Sequence, residues 1–558
     1  MVACDPAGQA EEHRLVGVQE QSECLSVSCS TAFKKILIHL PISYDGKQPR
    51  LVPLTNGNPG GMRILGTGRP CRSDTIAAMS VSRTPLDPEF VSRYTRVNLV
   101  ADPIYGYVEI TKAPRGQDRA DGVTAEQDIL DNRWLQRARR IHQLQSAWWV
   151  FPAAEHSRFQ HSVGAMHLAG VWAAHLYPSL ALAADAPSLA LVEETMRIGG
   201  LLHDVGHGPF GHFFDEQYLA AFGLTHETIS QHLITGELAP LIAGLEASPH
   251  GAFAAGEHLD PAWVAYVISK EELPGFEAPR WLELLKPVLC GSFAADNMDY
   301  VPRDAYACGV SIGPVDIRRI IHYTFVSPSG LALHQHGAEA MLLFLSSRMY
   351  LYNNLYHHRT VRRIDLHMRE IFHDTIAELM HGRNPLEDME AYAALNDWHL
   401  LNEVDRWLRT EPAASPRHDL AVEWSKITGR REMKWRLAYE AAFEYRGSSP
   451  GVFQLTRDEL RTRLAQALPP AADIVFEVDV ASLDARPNDP ADRYSALLFD
   501  PLDGSLSPDA AAQLLARLPL RNSLVRIFTL NEPDVAVLRQ AAESVLRAAP
   551  APATNTNT

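Results

Sequence analysis

The stretch Leu201-Leu202-His203-Asp204-Val205-Gly206-His207-Gly208-Pro209-Phe210-Gly211-His212 constrains this chain more than any other. Three histidines and an aspartate fall within ten residues, at the end of an apolar helical run. A His-Asp doublet offers one imidazole and one carboxylate, a ready pair of metal ligands. His207 follows His203 by four residues and shares its face if the helix continues. Gly206, Gly208, Pro209 and Gly211 then end the helix in a backbone-exposed turn. A single histidine in such a place is usually solvated or satisfied in the core. Four reactive groups beside Gly-Pro point to chemistry.

The rest of the chain is large enough to support such a site. Its 558 residues allow two to four ordinary domains or one elaborated domain. The longest apolar runs are broken well before a membrane-spanning length, so no membrane association is expected. The N-terminus lacks the pattern of a secretory signal. Of six cysteines, Cys4, Cys24, Cys29 and Cys71 lie early and Cys290 and Cys308 stand alone. With no CxxC pair, this usage suits a reducing cytoplasm. The net charge of −16 disfavours nucleic-acid binding as a primary role.

Residues 1–78 read as a flexible or non-native extension, with Met79 as a fresh start. Val97–Val100 and Tyr105–Ile110 read as short strands around a turn at Asp102-Pro103. A helix is expected from Asp128 to Gln145, with Leu130, Trp134, Ala138, Ile141 and Leu144 on one stripe. Arg133, Arg137, Arg139 and Arg140 crowd it, as a solvated face or as an anion contact. Helices are expected at Phe159–Leu176, Ala181–Val205, Thr225–Ile234, Pro261–Ser269, Trp281–Val288 and Ala338–Leu366, and across residues 386–446. The pair Gly199-Gly200 is unfavourable inside a helix and implies close approach of another helix or a ligand. After Pro450 the texture changes. Strands at Ile474–Val480 and Ser523–Thr529 and helices at Pro508–Arg517 and Pro533–Ala548 make a small α+β part, with a boundary near 448. The resulting division is 1–78, 79–448, 449–548 and a disordered tail at 549–558.

A mononuclear metal site needs ligands beyond His203 and Asp204. Upstream, Arg158-Phe159-Gln160-His161-Ser162 offers His161. Downstream, Asp296-Asn297-Met298-Asp299-Tyr300-Val301-Pro302-Arg303-Asp304 offers three carboxylates. Two histidines with two aspartates suit a divalent Mn, Fe, Mg, Zn or Co ion better than a thiolate-type structural zinc. Such an ion with open positions lowers the pKa of bound water.

The order His161…His203-Asp204…Asp296 resembles the H…HD…D signature of the HD superfamily of metal-dependent phosphohydrolases. Asp102–Gly106, Val150–Ala153, Arg158–Gly164, the stretch His203–His212, Thr225-His226-Glu227, Asp299-Tyr300 with Arg303-Asp304, and Arg348 with Tyr356–Arg359 further resemble the HD-domain dNTP triphosphohydrolases. They resemble most the branch of the vertebrate sterile-alpha-motif/HD restriction factor and the bacterial dGTPases, without a sterile alpha motif domain. The likeness is strong over residues 97–370 and faint beyond. It implies a mainly α-helical HD-domain fold, a helical bundle around a metal site, with a small α+β C-terminal part.

By this resemblance His161, His203, Asp204 and Asp296 hold the metal. His207, His212 and His226 face the triphosphate, with His212 or His226 as general acid and Asp215 orienting one of them. Imidazoles, with pKa values near neutrality, suit both tasks. Arg158 and Arg348 suit a phosphate clamp by charge and fork geometry. Gln143, Leu144, Tyr300, Asp304 and Tyr356 would surround the deoxyribose. The implied substrate is a dNTP, attacked at the α-phosphorus to give deoxynucleoside and triphosphate, by a homo-oligomer such as a dimer or tetramer. Asp131, Gln136 and Arg139 match residues that bind an activating (d)GTP, although the adjoining Asn98, Leu99 and Ala101 depart from that pattern. Asn297 stands where the branch usually has Lys, and His357 and Arg359 stand where Gln and Lys are familiar. The competing readings are an HD hydrolase acting on another nucleotide or nucleic acid, and a non-catalytic nucleotide sensor.

Overall fold

In the computed structural model the alternating stretch after residue 96 forms an antiparallel hairpin, β1 (Val97–Asp102) and β2 (Gly106–Thr111). The structure describes residues 95–113, 120–270, 273–291, 294–430, 432–445, 455–469, 473–484, 497–508 and 521–548. The extension at 1–78, Met79, the tail at 549–558 and nearly all of the helix expected at Pro508–Arg517 lie outside those residues.

The continuous helix expected over Asp128–Gln145 is broken. The helix α1 (Glu126–Leu130) stops at Asp131, and the Asn132 side chain accepts the Trp134 N–H at 2.9 Å to start α2 (Arg133–Arg137). Asparagine side chains compete with helical backbone bonds in this way. A short 3₁₀ turn, Ala138–Arg140, follows, and Ile141 is extended. The stripe from Leu130 to Leu144 is nevertheless buried throughout. The core therefore captured the apolar residues without keeping the helix. Of the four arginines, Arg133 pairs with Glu237 and Glu390 on the surface. Arg137 is buried and donates to the carbonyls of His207 and Leu395.

Two long helices carry the motif residues. In α3 (Arg158–Ala183), Ser157 is the N-cap and its N–H donates to the Gln160 side chain. The helix runs through Pro178, past the expected end at Leu176. The next helix, α4 (Leu189–Leu202), is capped by the Ser188 hydroxyl and delivers His203 at its C-terminal end. The glycine pair does mark a close approach. A Cβ on Gly200 would lie 2.7 Å from the Ala165 carbonyl oxygen of α3, and one on Gly199 would lie 2.7 Å from Leu289. Because the Gly200 neighbour is backbone, α3 and α4 would have to move apart to admit a methyl. Gly200→Ala is therefore expected to destabilise the protein by about 1–3 kcal/mol, read by chemical denaturation.

Further helices complete the bundle: α5 (His212–Gln217), α6 (His226–Thr235), α7 (Ala295–Cys308) and α8 (Ala338–Leu351). The helix expected over Ala338–Leu366 is divided. A wider π turn at Tyr352–Tyr356 ends α8, and His358 caps a new helix, α9 (Arg359–Arg369). Residues 386–446 contain α10 (Asp397–Thr410) and α11 (Pro416–Thr428), but they are not helical throughout. After the hairpin β3 (Thr324–Ser327) and β4 (Gly330–His334), residues Arg436–Tyr445 form strand β5. Its Ala and Glu residues favour helix, and pairing along a full neighbouring strand overrides that preference.

Strand β5 joins β6 (Phe476–Asp484) and β9 (Arg521–Thr529) in one antiparallel sheet, order β5-β9-β6. The helix α12 (Asp534–Ala548) packs on this sheet around Leu538, Ala542 and Leu546. The α+β part thus recruits a strand upstream of residue 448. It also returns to the helical part, because β7 (Leu497–Phe499) pairs in parallel with β4 and antiparallel with β8 (Leu506–Ser507). The fold is mainly helical with small sheets. Among the described residues no helix is long and apolar enough to cross a membrane.

Candidate active site

His161, His203 and Asp204 arrive from two helices at one point, and Asp296 closes on them from the first turn of α7. His161 Nε2 lies 3.2 Å from His203 Nε2 and 3.0 Å from Asp296 Oδ1. His203 Nε2 lies 3.4 Å from Asp204 Oδ1 and 3.6 Å from Asp296 Oδ1. Ligands about 2.1 Å from a common ion sit roughly 3.0–3.4 Å apart when adjacent in octahedral or tetrahedral geometry. Three of the four separations fall in that range, and the His203–Asp296 pair is slightly wider.

The tautomers point the same way. His203 Nδ1 is 2.8 Å from the Gly200 carbonyl oxygen, which can only accept, so Nδ1 carries the proton. His161 Nδ1 is 2.8 Å from Asp299 Oδ2 and is held likewise. In their neutral forms both rings then turn a bare Nε2 lone pair toward the other, an arrangement that calls for a cation between them. Burial opposes a charged His161. The hydrogen bonds with Asp296 and Asp299 outweigh burial and lift the ring to about 10. Burial would also raise Asp204, but the charges of His203, His207 and Arg158 hold it well below the usual carboxylate range. The donor set therefore fits a divalent ion.

A second cluster lies alongside. His207, His212 and His226 gather around Asp215. His226 Nδ1 is 2.5 Å from Asp215 Oδ2, His212 Nδ1 is 3.5 Å from it and His207 Nδ1 is 3.9 Å from it. The His207 and His226 rings stack at 3.8 Å with only 13° between their planes. Parallel rings direct their in-plane lone pairs side by side, which suits a hydrogen-bonded imidazole–carboxylate dyad better than a second ion. His207 is fully buried, its Nε2 lies 3.3 Å from Asp204 Oδ1, and burial with the charges of Arg158 and His226 holds its pKa well below the usual value. It sits behind the cavity wall, whereas His212 and His226 are on it.

The Gly-Pro turn gives this cluster its shape. Phe210 has φ +62° and Gly211 φ +56°. A Cβ on Gly211 would lie 2.2 Å from Arg158 Nη2, so both backbone and space require glycine there. Asp397, fully buried at the start of α10, accepts the Phe210 N–H at 2.8 Å. Its other oxygen accepts the His142 N–H at 2.9 Å and lies 2.8 Å from His142 Nδ1. Sequence reasoning placed Asp397 only in a generic helical region.

A cleft of about 580 Å³ opens over these groups. Its wall includes Arg158, His203, Asp204, His212, His226 and Asp296, and also Gln143, Leu144, Tyr300, Asp304, Arg348 and Tyr356. Arg158 Nη1 is 2.5 Å from Asp204 Oδ2, so this guanidinium joins the carboxylate to the cleft. Arg348 Nε donates to the Tyr300 hydroxyl at 2.9 Å. The Tyr356 hydroxyl donates to Asp304 Oδ2 at 2.6 Å, and Asp304 Oδ1 lies 2.8 Å from His156 Nε2. His156 escaped notice because its partner is 148 residues away in sequence. Gln143 Oε1 is buried at the wall with no hydrogen-bond donor among the described residues. Asn297, in place of a cation, donates at 3.4 Å to the Gly291 carbonyl, while Lys270 also lines the cleft.

Asp131, Gln136 and Arg139 sit apart from this wall. Gln127 donates to Asp131, Arg139 donates to Gln136, and the Arg139 guanidinium lies over Phe159 at 3.6 Å.

Residues 158–273 match the family model for the HD domain. The chain is 30% identical to the deoxynucleoside triphosphate triphosphohydrolase SAMHD1 of Gallus gallus over 326 residues, 53% of this chain and 50% of that protein. It is 30% identical to the uncharacterized protein YwfO of Bacillus subtilis over 246 residues, 44% of this chain and 51% of that protein. To human SAMHD1 it is 25% identical over 471 residues, covering 75% of this chain and 69% of that protein. The chain thus spans about half the length of the first two relatives. A crystal structure of a hypothetical protein from Aquifex aeolicus shares the fold, with a TM-score of 0.57 and 23% identity over 80% of this chain and 99% of that one.

Proposed function

We propose that this HD-domain chain hydrolyses deoxynucleoside triphosphates, releasing deoxynucleoside and inorganic triphosphate. The observation that carries this reading is the set of groups that a single cleft brings together. His203, Asp204 and Asp296 of the donor set share its wall with His212 and His226 of the imidazole–carboxylate cluster, with Arg158 and Arg348, and with Tyr300, Tyr356, Asp304 and Gln143. A cleft of about 580 Å³ is sized for a nucleotide. The similarity to SAMHD1 proteins, whose name states that activity, supports the same substrate class.

When bound, the divalent ion supplies Lewis acidity at the α-phosphate and an activated water. The chain's own groups do the rest. Arg158 and Arg348 take phosphate oxygens, helped by Lys270 on the same wall. Attack of water at the α-phosphorus breaks its bond to the 5′ oxygen, and an imidazole of His212 or His226 gives that oxygen a proton. Asp215 holds the His226 ring for this task, with its carboxylate kept ionised. Burial would raise it, and the surrounding histidines hold it far below the usual range. His207 acts from behind, keeping Asp204 and His226 in place. At the sugar end the orphaned Gln143 oxygen accepts the 3′-hydroxyl proton beside Asp304, and the Tyr356 ring fills the space a 2′-hydroxyl would need.

Purified protein with Mn, Mg, Co or Fe and each dNTP is expected to release triphosphate, resolved from pyrophosphate and phosphate by ion chromatography. Release of only mono- or pyrophosphate would move the chain to another HD phosphohydrolase activity. In this reading Asp131, Gln136 and Arg139 form the surface for an activating (d)GTP. GTP added to the same assay tests that role, and unchanged dNTP turnover removes it.

A further inference from the structure

The turn of the first hairpin reaches the candidate metal site through a chain of buried groups. Asp299 accepts four hydrogen bonds and is fully buried. Two come from Arg303 (Nε and Nη2, each 2.8 Å) and one from the Tyr105 hydroxyl at 2.8 Å. The fourth is from His161 Nδ1 at 2.8 Å. Arg303 Nη1 donates onward to Asp102 Oδ2 at 2.9 Å. Asp102 Oδ1 accepts the N–H groups of Ile104 and Tyr105, which shapes the turn that presents the Tyr105 ring. Three separate elements contribute: the β1–β2 turn, α3 and α7. The space for the relay comes from Gly164, one turn past His161. A Cβ there would lie 2.0 Å from Asp299 Oδ1 and 2.2 Å from Arg303 Nη2. The hairpin turn lies outside residues 158–273 that match the HD model.

We propose that Asp299, oriented by Tyr105 and Arg303 from the hairpin side, is the residue that positions His161 and sets the affinity of the site for a divalent cation. The inference rests on His161 being a metal ligand. Its physical basis is the ring's tautomer. An ionised Asp299 can only accept, so it fixes the proton on Nδ1 and leaves the Nε2 lone pair for an ion. Asp299 also adds a second negative charge behind the ligand, beside a single Arg303 cation that it shares with Asp102. Outer partners of this kind are worth roughly 10–100-fold in metal affinity. Asp102 and Arg303 hold the carboxylate; Tyr105 fixes its plane.

Asp299→Asn preserves shape and turns this logic around. An amide N–H facing His161 Nδ1 would favour protonation of Nε2 and block coordination. The test is Mn²⁺ binding to the full chain by calorimetry, with thermal unfolding measured in parallel. Asp299→Asn is expected to weaken Mn²⁺ binding by about 100-fold. Tyr105→Phe, which removes one hydroxyl at the hairpin, is expected to weaken it by several-fold with little loss of stability. If Asp299→Asn fails to fold, Tyr105→Phe decides. Wild-type protein that binds no Mn²⁺ overturns the metal-site reading and this inference with it. Wild-type binding with unchanged affinity in the folded variants overturns the inference alone and leaves these residues as core structure.

Discussion

Replacing His203 by alanine is expected to leave a folded protein that no longer releases triphosphate from any dNTP. His203 makes little structural contribution. It sits at the C-terminal end of α4, where its Nδ1 donates to the Gly200 backbone carbonyl and its Nε2 faces only the other groups of the donor set. Loss of such a bond costs about 1 kcal/mol. The chemical loss is larger. Its Nε2 is one of only two imidazole nitrogens in the donor set, 3.2 Å from that of His161. A Lewis acid at the reacting phosphate is worth several kcal/mol, so turnover should fall by about a thousandfold or more. Asp204→Ala is a poorer test, because it strands the buried Arg158 guanidinium that pairs with Asp204. A buried charge left without its partner typically costs about 3–5 kcal/mol, and lost activity would then be confused with lost fold. Measured Mn²⁺ binding, circular dichroism and triphosphate release on His203→Ala separate the two. Wild-type turnover in that variant would remove His203 from the chemistry.

What the sequence revealed and what it hid differ in range. His203 and Asp204 were legible because they are adjacent and stand at the end of an apolar helix. His212 was legible in the same stretch, and Gly199 and Gly200 because their cost inside a helix announces a close neighbour, whereas Asp215 and His226 were reached only through the family resemblance. Among the three downstream carboxylates, local reasoning could not choose. Asp296 faces the imidazoles, Asp299 stands behind His161 and Asp304 lies at the Tyr356 end of the cleft. Only the turn-by-turn geometry of α7 separates them. Partners far apart in sequence were invisible: Tyr105 with Asp299, Arg303 with Asp102, His156 with Asp304. Errors in the fold have the same origin. Asn132 breaks a helix that periodicity alone continues, and the helix-favouring residues of Arg436–Tyr445 become a strand because β9 is available to pair with them.

Asp397→Ala should disturb both ends of the cleft at once, though Asp397 does not line it. One of its oxygens holds the Phe210 N–H, fixing a backbone in the left-handed region that non-glycine residues adopt only under constraint. The other holds His142 by backbone and ring, and so places the neighbouring Gln143 and Leu144 on the wall. Burial lowers the His142 pKa, and the bonds with Asp397 and then Glu155 raise it above its ordinary value. Removing the carboxylate leaves that ring, two backbone donors and a strained turn without support. Leaving buried donors without their acceptor costs about 1–3 kcal/mol each. A lower denaturation midpoint is therefore expected, together with a fall in kcat through the His207–His212 turn and a rise in KM through Gln143. Asp397→Asn keeps one acceptor oxygen and should recover part of both losses. The two kinetic effects distinguish this role from ordinary core packing, because a purely structural loss would reduce the amount of active protein and leave KM unchanged. Wild-type KM in a destabilised Asp397→Ala variant would reduce Asp397 to a stabilising residue, and an unchanged midpoint would contradict the buried pair itself.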